Sequence, residues 1–185
     1  LLSVTFTEAL RKADNQSEVL EKVQHIFRLQ GIKPLILSGA EEAYGSWLGI
    51  SHYYDRQDFA SLDIGAGSTE ISTHQDRISL SIGAMRISKE YGPIPNDSIR
   101  DWLLGQTEEI EWRRYKDRPL YLCGGTATAL AALNLKLTHW DGSAVESYPV
   151  DSPLLQRSIS RLSDLSKDVR DGLPGFDKGR GDLIV

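Results

Sequence analysis

Asp63-Ile-Gly-Ala-Gly-Ser-Thr-Glu70 lies inside the most regular stretch of this 185-residue sequence. Ala60, Leu62 and Ile64 alternate with Ser61 and Asp63, the period-two pattern of a strand half-buried on one face. Gly65-Ala66-Gly67 turns the chain, and Ser68 to Thr73 returns as a second strand. Gln75-Asp76 turns it again, and Ile78, Leu80 and Ile82 alternate in a third. Three strands joined by short turns read as an antiparallel meander.

Working outward, Leu1 to Phe6 reads as the end of a buried strand, and Thr7 as the cap of a helix. Asn15 or Ser17 caps its continuation, with Val19, Leu20, Val23, Ile26 and Phe27 at helical spacing and Gly31 as its stop. Pro34 to Leu37 is a short strand. Ser38-Gly39 opens a helix from about Ala40 to Ile50, and the polar residues from Ser51 to Asp58 read as a linker. Beyond the meander come a helix near Gly83 to Tyr91 and a longer one near Asn96 to Trp112. Pro119 to Cys123 is a fourth strand, running through Gly124-Gly125 into a helix that begins near Thr126. Asp151-Ser-Pro starts another helix, and Ser163 to Arg170 a further short one. The order of elements suits an α/β layer fold with a mixed sheet flanked by helices.

Composition narrows the function classes. The chain is 40% hydrophobic and 25% charged, with a mean hydropathy of −0.32, values of a soluble globular domain. No apolar run approaches the roughly 20 residues that span a bilayer. One cysteine, Cys123, excludes an intrachain disulfide and cysteine-cluster zinc sites. A net charge of −5 argues against a broad duplex-nucleic-acid surface. Both ends are apolar, Leu-Leu-Ser-Val and Asp-Leu-Ile-Val, so the sequence reads as a segment of a longer chain.

Three segments can carry chemistry. Glycines at the tip of the Asp63–Glu70 hairpin would let backbone N–H groups converge into an anion nest, with Ser68 adding a hydroxyl. Asp63 and Glu70 could face the same mouth and suit a hydrated Mg²⁺; a plain Gly-rich hairpin is the bland alternative. Glu41 and Glu42 in Ser38-Gly-Ala-Glu-Glu-Ala43 are explained by dipole stabilisation of a helix start; a general base is the functional alternative. Cys123-Gly-Gly-Thr126 runs from a strand into a helix N-terminus, which either binds an anion or makes a tight turn capped by Thr126. Cys123 reads as a small buried side chain. His25, His52, His74 and His139 fall at no metal-ligand spacing. Arg113, Arg114, Lys116 and Arg118 read as a solvated face, and Trp102 and Trp112 as packing residues.

In their order, these segments resemble the exopolyphosphatase and guanosine pentaphosphate phosphohydrolase (Ppx/GppA) family. Thr7-Glu-Ala-Leu-Arg11-Lys-Ala13-Asp-Asn15 is similar to the family's Thr-x-x-x-Arg-x-Ala-x-Asn segment, and Ser38-Gly-Ala-Glu-Glu-Ala43 to its Ser-Gly-x-Glu-Glu-Ala-Arg segment. Asp63 to Glu70 is similar to its Asp-Ile-Gly-Gly-Gly-Ser-Thr-Glu phosphate loop, Ser79 to Arg86 to the strand and turn that follow, and Gly125-Thr126 to a Gly-Thr before a helix. Leu173-Pro-Gly175 and Arg180-Gly-Asp-Leu-Ile184 resemble the segment that closes the family's core.

The resemblance implies a ribonuclease H-like α/β fold of the actin, sugar-kinase and Hsp70 superfamily. Residues 1–52 would be the C-terminal part of a first lobe, and 57–185 a second lobe. It implies hydrolysis of a terminal phosphoanhydride, releasing orthophosphate from polyphosphate or guanosine pentaphosphate. Glu42 would be the general base, and Asp63 and Glu70 would hold Mg²⁺. Arg11, Gly65, Ala66, Gly67 and Ser68 would bind phosphoryl oxygens, with Gly125 and Thr126 closing the far side. It also implies a cytoplasmic protein with no membrane partner, and allows a homodimer. Two positions depart from the pattern: Ala66 replaces the family's third glycine, which requires a negative φ, and Tyr44 replaces its Arg. The family's first phosphate loop, Asp-x-Gly-Ser-Asn, has no counterpart here. A non-catalytic guanosine tetra- or pentaphosphate sensor and a kinase of the same fold are the alternatives.

Overall fold

The computed structural model describes residues 3–28, 32–92, 96–173, 179, 181 and 182. The expected stop at Gly31, the first residues of the expected opening strand, and Pro174, Gly175, Arg180, Leu183 and Ile184 lie outside them. In chain order the elements begin with β1 (Thr5–Phe6), α1 (Glu8–Arg11), α2 (Gln16–Arg28), β2 (Leu35–Ile36) and α3 (Gly39–Tyr54). Then come β3 (Ala60–Ile64), β4 (Thr69–Ser72), β5 (Arg77–Leu80), α4 (Ala84–Tyr91) and α5 (Asp97–Thr107). The last are β6 (Leu120–Cys123), α6 (Gly124–Leu135), α7 (Gly142–Val145), α8 (Ser152–Ser163) and α9 (Lys167–Asp171).

The meander forms as its alternation dictates. β5, β4 and β3 pair antiparallel, and β6 joins β3 in parallel, giving one mixed sheet in the order β5-β4-β3-β6. β1 and β2 make a separate parallel pair. Helices flank the mixed sheet, with α3 packed on β3, β4 and β5, and α6 on β3 and β6.

One expectation fails here in an instructive way. The polar face of β3 and β4 is not solvated: Ser61 and Ser72 are buried because α3 lies on it. The face is made dry by internal pairing. The hydroxyls of Ser61 and Ser72 are 2.9 Å apart, and Ser72 Oγ donates to the Ala43 carbonyl of α3 at 2.8 Å. Small residues permit so close a seat, since a Cβ on Gly39 would collide with Ser79 of β5. Toward the other end of α3 the gap widens and aromatic rings fill it. Trp47 stacks on Phe59 at 5.5 Å, and Phe59 meets Tyr121 edge-on at 5.0 Å. A second apolar cluster, Ala129, Leu130, Leu133 and Leu162, locks α6 to α8.

Several elements differ from expectation, among them α9, which starts at Lys167 rather than Ser163. α3 runs on to Tyr54, through the first half of the expected linker and past residue 52; Asp55, at a φ of 48°, ends it. Its start is fixed by a capping box in which Ser38 and Glu41 satisfy each other's backbone N–H groups. α5 ends at Thr107, and Trp112–Arg114 form a separate 3-10 turn that leaves Trp112 half-exposed. Trp102 does pack, against Tyr91 at 5.4 Å. α6 starts two residues early, with Cys123 rather than Thr126 at its N-cap position. α7 has no counterpart in the hydrophobic pattern.

Ser72→Ala removes the donor to Ala43 and the partner of Ser61, leaving buried polar atoms unmatched. It is expected to cost about 1–3 kcal/mol in chemical denaturation, whereas Ser46→Ala, on α3 and only partly buried, should cost less.

Candidate functional site

The register of the hairpin sets the site. Asp63 of β3 lies directly opposite Glu70 of β4, so both carboxylates leave the sheet on the face that α3 covers. Hydroxyls from neighbouring elements hold both: Ser46 Oγ of α3 donates to Asp63 at 3.0 Å, and Ser79 Oγ of β5 donates to Glu70 at 2.7 Å. Glu70 is only 3% exposed. Burial raises its pKa above the usual 4.5; the hydroxyls of Ser79 and Ser68 oppose the rise, and the carboxylates of Glu42 and Asp63 add to it. These three acids therefore share one electrostatic field.

The hairpin tip is built for close approach. Gly65 N–H donates to the Ser68 carbonyl at 2.9 Å, while the carbonyls of Gly65 and Ala66 accept from Ala84 and Met85 at the start of α4. Among the described residues, none accepts from the N–H of Ala66, Gly67 or Ser68. Three N–H groups of the tip are thus without a backbone acceptor among the described residues, whereas that of Gly65 is spent within the turn. Ala66 keeps a negative φ, which removes the obstacle its side chain posed. A Cβ on Gly67 would stand 2.8 Å from Glu8 Cγ, and one on Gly83 would collide with the Ala66 carbonyl.

Arg11 and Glu42 come to the same mouth from α1 and α3. Arg11 Nη1 donates to the Leu37 carbonyl at 2.5 Å and stands 3.3 Å from Glu42 Oε2, while Nη2 donates to Glu8 Oε2 at 2.8 Å. From the opposite side, Gly124 opens α6 with a φ of 84°, and any Cβ there would collide with Asp63 Oδ1. This glycine brings the first turn of α6, with Gly125 and Thr126, beside Asp63. The first-turn N–H groups of a helix lack intrahelical partners, and no side chain caps them here.

Glu8, Ser46 and Ser79 escaped the sequence reading. Ser46 and Ser79 act on carboxylates of other elements, and Glu8 reaches Gly67 across the fold, so none of the three stood out in the local pattern. Cys123 is half-buried rather than fully buried; burial, with Asp63 beside it, pushes the thiol up to about 12, and Sγ lies 3.6 Å from the Leu62 carbonyl. Among the described residues no three His, Cys, Asp or Glu side chains gather as a metal cluster. Arg114 pairs with Glu111 and Asp76 on the surface. At Tyr44, where the sequence departs from the family pattern, the Arg77 guanidinium lies 3.9 Å over the ring.

A mixed β-sheet opening with a three-strand meander, flanked by helices and bearing a Gly-rich tip beside paired carboxylates, defines a protein of the actin-like ATPase fold. The family model of the Ppx/GppA phosphatase family matches residues 2–185, and the chain belongs to that family. It is similar to a solved exopolyphosphatase-like protein, with 25% identity and a TM-score of 0.80 over 99% of this chain and 62% of that one. A Ppx/GppA family member from Aquifex aeolicus matches at 22% identity and a TM-score of 0.77, over 97% of this chain and 61% of that one. An exopolyphosphatase from Cytophaga hutchinsonii matches at 20% identity and a TM-score of 0.75, over 98% and 62%. The chain thus spans about 62% of the length of the solved structures it matches. No curated protein matches it significantly.

Because the folded state holds Glu70 above 4.5, it binds this proton more tightly than the unfolded chain does. The stability this group contributes is complete below that value and is lost as pH rises through the raised one. Glu70→Gln is therefore expected to raise Tm at pH 7 and to bring no gain near pH 3. Gly124→Ala must strain a left-handed φ and displace Asp63, and is expected to cost at least about 1 kcal/mol, read as a lowered denaturation midpoint.

Proposed function

We propose that the protein is a phosphoanhydride hydrolase that releases terminal orthophosphate from inorganic polyphosphate or guanosine pentaphosphate. One set of contacts supports the reading: Arg11 stands 3.3 Å from Glu42, Glu42 and Asp63 act electrostatically on Glu70, and Glu8 links Arg11 to the hairpin tip at Gly67. Residues 1–52 are read as the C-terminal part of a first lobe and 57–185 as a second lobe, with the mouth between them.

The donor set suits Mg²⁺, since Asp63 and Glu70 offer hard oxygens that face each other across one register pair. These two residues would hold the hydrated ion, which when bound supplies neutralisation of phosphate charge. The protein's own groups do the rest. The N–H groups of Ala66, Gly67 and Ser68, with Arg11, take the oxygens of the terminal phosphoryl group, and the first turn of α6 at Gly125 and Thr126 meets it from the far side. Glu42 orients a water and accepts its proton as the oxygen bonds to phosphorus and the bridging P–O bond breaks. The next phosphate leaves with the bridging oxygen. Phosphoryl transfer asks chiefly for positioning and charge neutralisation, and these groups offer both.

A guanosine tetra- or pentaphosphate sensor is the second reading. Of the two departures that favour it, Ala66 fits its turn without strain, so Tyr44 alone carries it.

Malachite-green phosphate release, run with Mg²⁺ on both substrates, tests the hydrolase. Glu42→Gln is expected to lower kcat by on the order of 10²- to 10⁴-fold while inorganic phosphate still binds. Unchanged turnover in that variant would remove Glu42 as the base, and nucleotide binding without release in the wild type would favour the sensor.

A further inference from the structure

Glu8 is an acid buried against the tip of a loop read as an anion site, a costly place for a carboxylate unless its charge does something there. Its side chain is 12% exposed. Oε2 accepts from Arg11 Nη2 at 2.8 Å, Oε1 lies 3.1 Å from Lys12 Nζ, and the stem packs on Gly67. Lys12 reaches on to Ser81 Oγ at 2.5 Å. Two cations balance the one carboxylate, so its charge is not offered to the mouth.

The Arg11 guanidinium is a planar fork. One arm is held by the Leu37 carbonyl and Glu42, and the other by Glu8 alone. With a single arm fixed, the group could swing about its Cζ–Nε axis and follow Glu42. With both fixed, its plane is set between the proposed base and the hairpin tip.

We propose that Glu8 is a positioning residue that fixes the Arg11 guanidinium toward the phosphate mouth and, through its packing on Gly67, ties α1 to the hairpin tip. This rests on the reading of Arg11 as a phosphate ligand. Glu8 touches no reacting atom and acts through Arg11.

A double-mutant cycle tests it, with inorganic phosphate as the probe and calorimetric Kd as the readout. Glu8→Ala and Arg11→Ala are each expected to weaken binding by on the order of 10-fold, and the double variant to be no weaker than Arg11→Ala alone. Losses that multiply would overturn the proposal. Glu8→Gln keeps the acceptor for Arg11 and should restore most of the affinity. The slow rotation of the Arg11 guanidinium, seen by NMR of its Nη groups, gives a second reading that needs no ligand. It should quicken in Glu8→Ala and less so in Glu8→Gln; unchanged rotation in both would also overturn the proposal. Both readouts are independent of turnover, so a wild type that binds phosphate without releasing it would refute the hydrolase reading and leave this one standing.

Discussion

Helix α3 lies on a sheet face made of hydroxyls, and every other feature of the site depends on that contact. Apolar side chains would have separated helix and sheet by the usual width of a packed layer. Ser61, Ser72 and Ser79 instead let the helix backbone come down onto the strands, with Gly39 and Ala43 as its close points. Burying hydroxyls is tolerable only when they are paired, and the Ser61–Ser72–Ala43 chain does this. Because α3 sits so low, Ser46 reaches Asp63, and Glu42 enters the field of Glu70.

That geometry concentrates negative charge. Glu42, Asp63 and Glu70 act on one another, and Arg11 is held between Glu42 and Glu8, whose charge Lys12 also balances. An acidic cluster against a polar backbone nest is a poor anion site in isolation. It becomes a workable one when a divalent cation joins the carboxylates, which is why hard-oxygen donors and open N–H groups belong together in the proposal. The raised pKa of Glu70 comes first from its burial, with the carboxylates of Glu42 and Asp63 adding to it.

Much of this was legible in the sequence because it is local. Alternation from Ala60 to Leu80 marks the strands and their turns, and Ser38-Gly39 with the first-turn acids Glu41 and Glu42 marks the start of α3. What was hidden is what distance along the chain conceals. The burial of Ser61 and Ser72 depends on a helix some 20 residues upstream, so polar alternation was misread as a solvated face. The N–H of Gly65 is satisfied by Ser68, a detail of turn geometry beyond composition. Gly124 rather than Thr126 begins α6 because a positive φ beside Asp63 admits only glycine comfortably. Residues 51–54 continue α3 because Tyr53 and Tyr54 find Glu146 and Ser147 across the fold.

The central claim is that the hairpin tip, Arg11 and the start of α6 bind phosphate as one mouth. Titrating inorganic phosphate into ¹⁵N-labelled protein with Mg²⁺ reads every amide at once. The largest shifts are expected at Ala66, Gly67, Ser68, Gly125 and Thr126, all fitting one Kd, and in Arg11→Ala that Kd should weaken for all of them together by on the order of 10-fold. Shifts confined to other surfaces, or tip and α6 amides that titrate with different affinities, would contradict the claim.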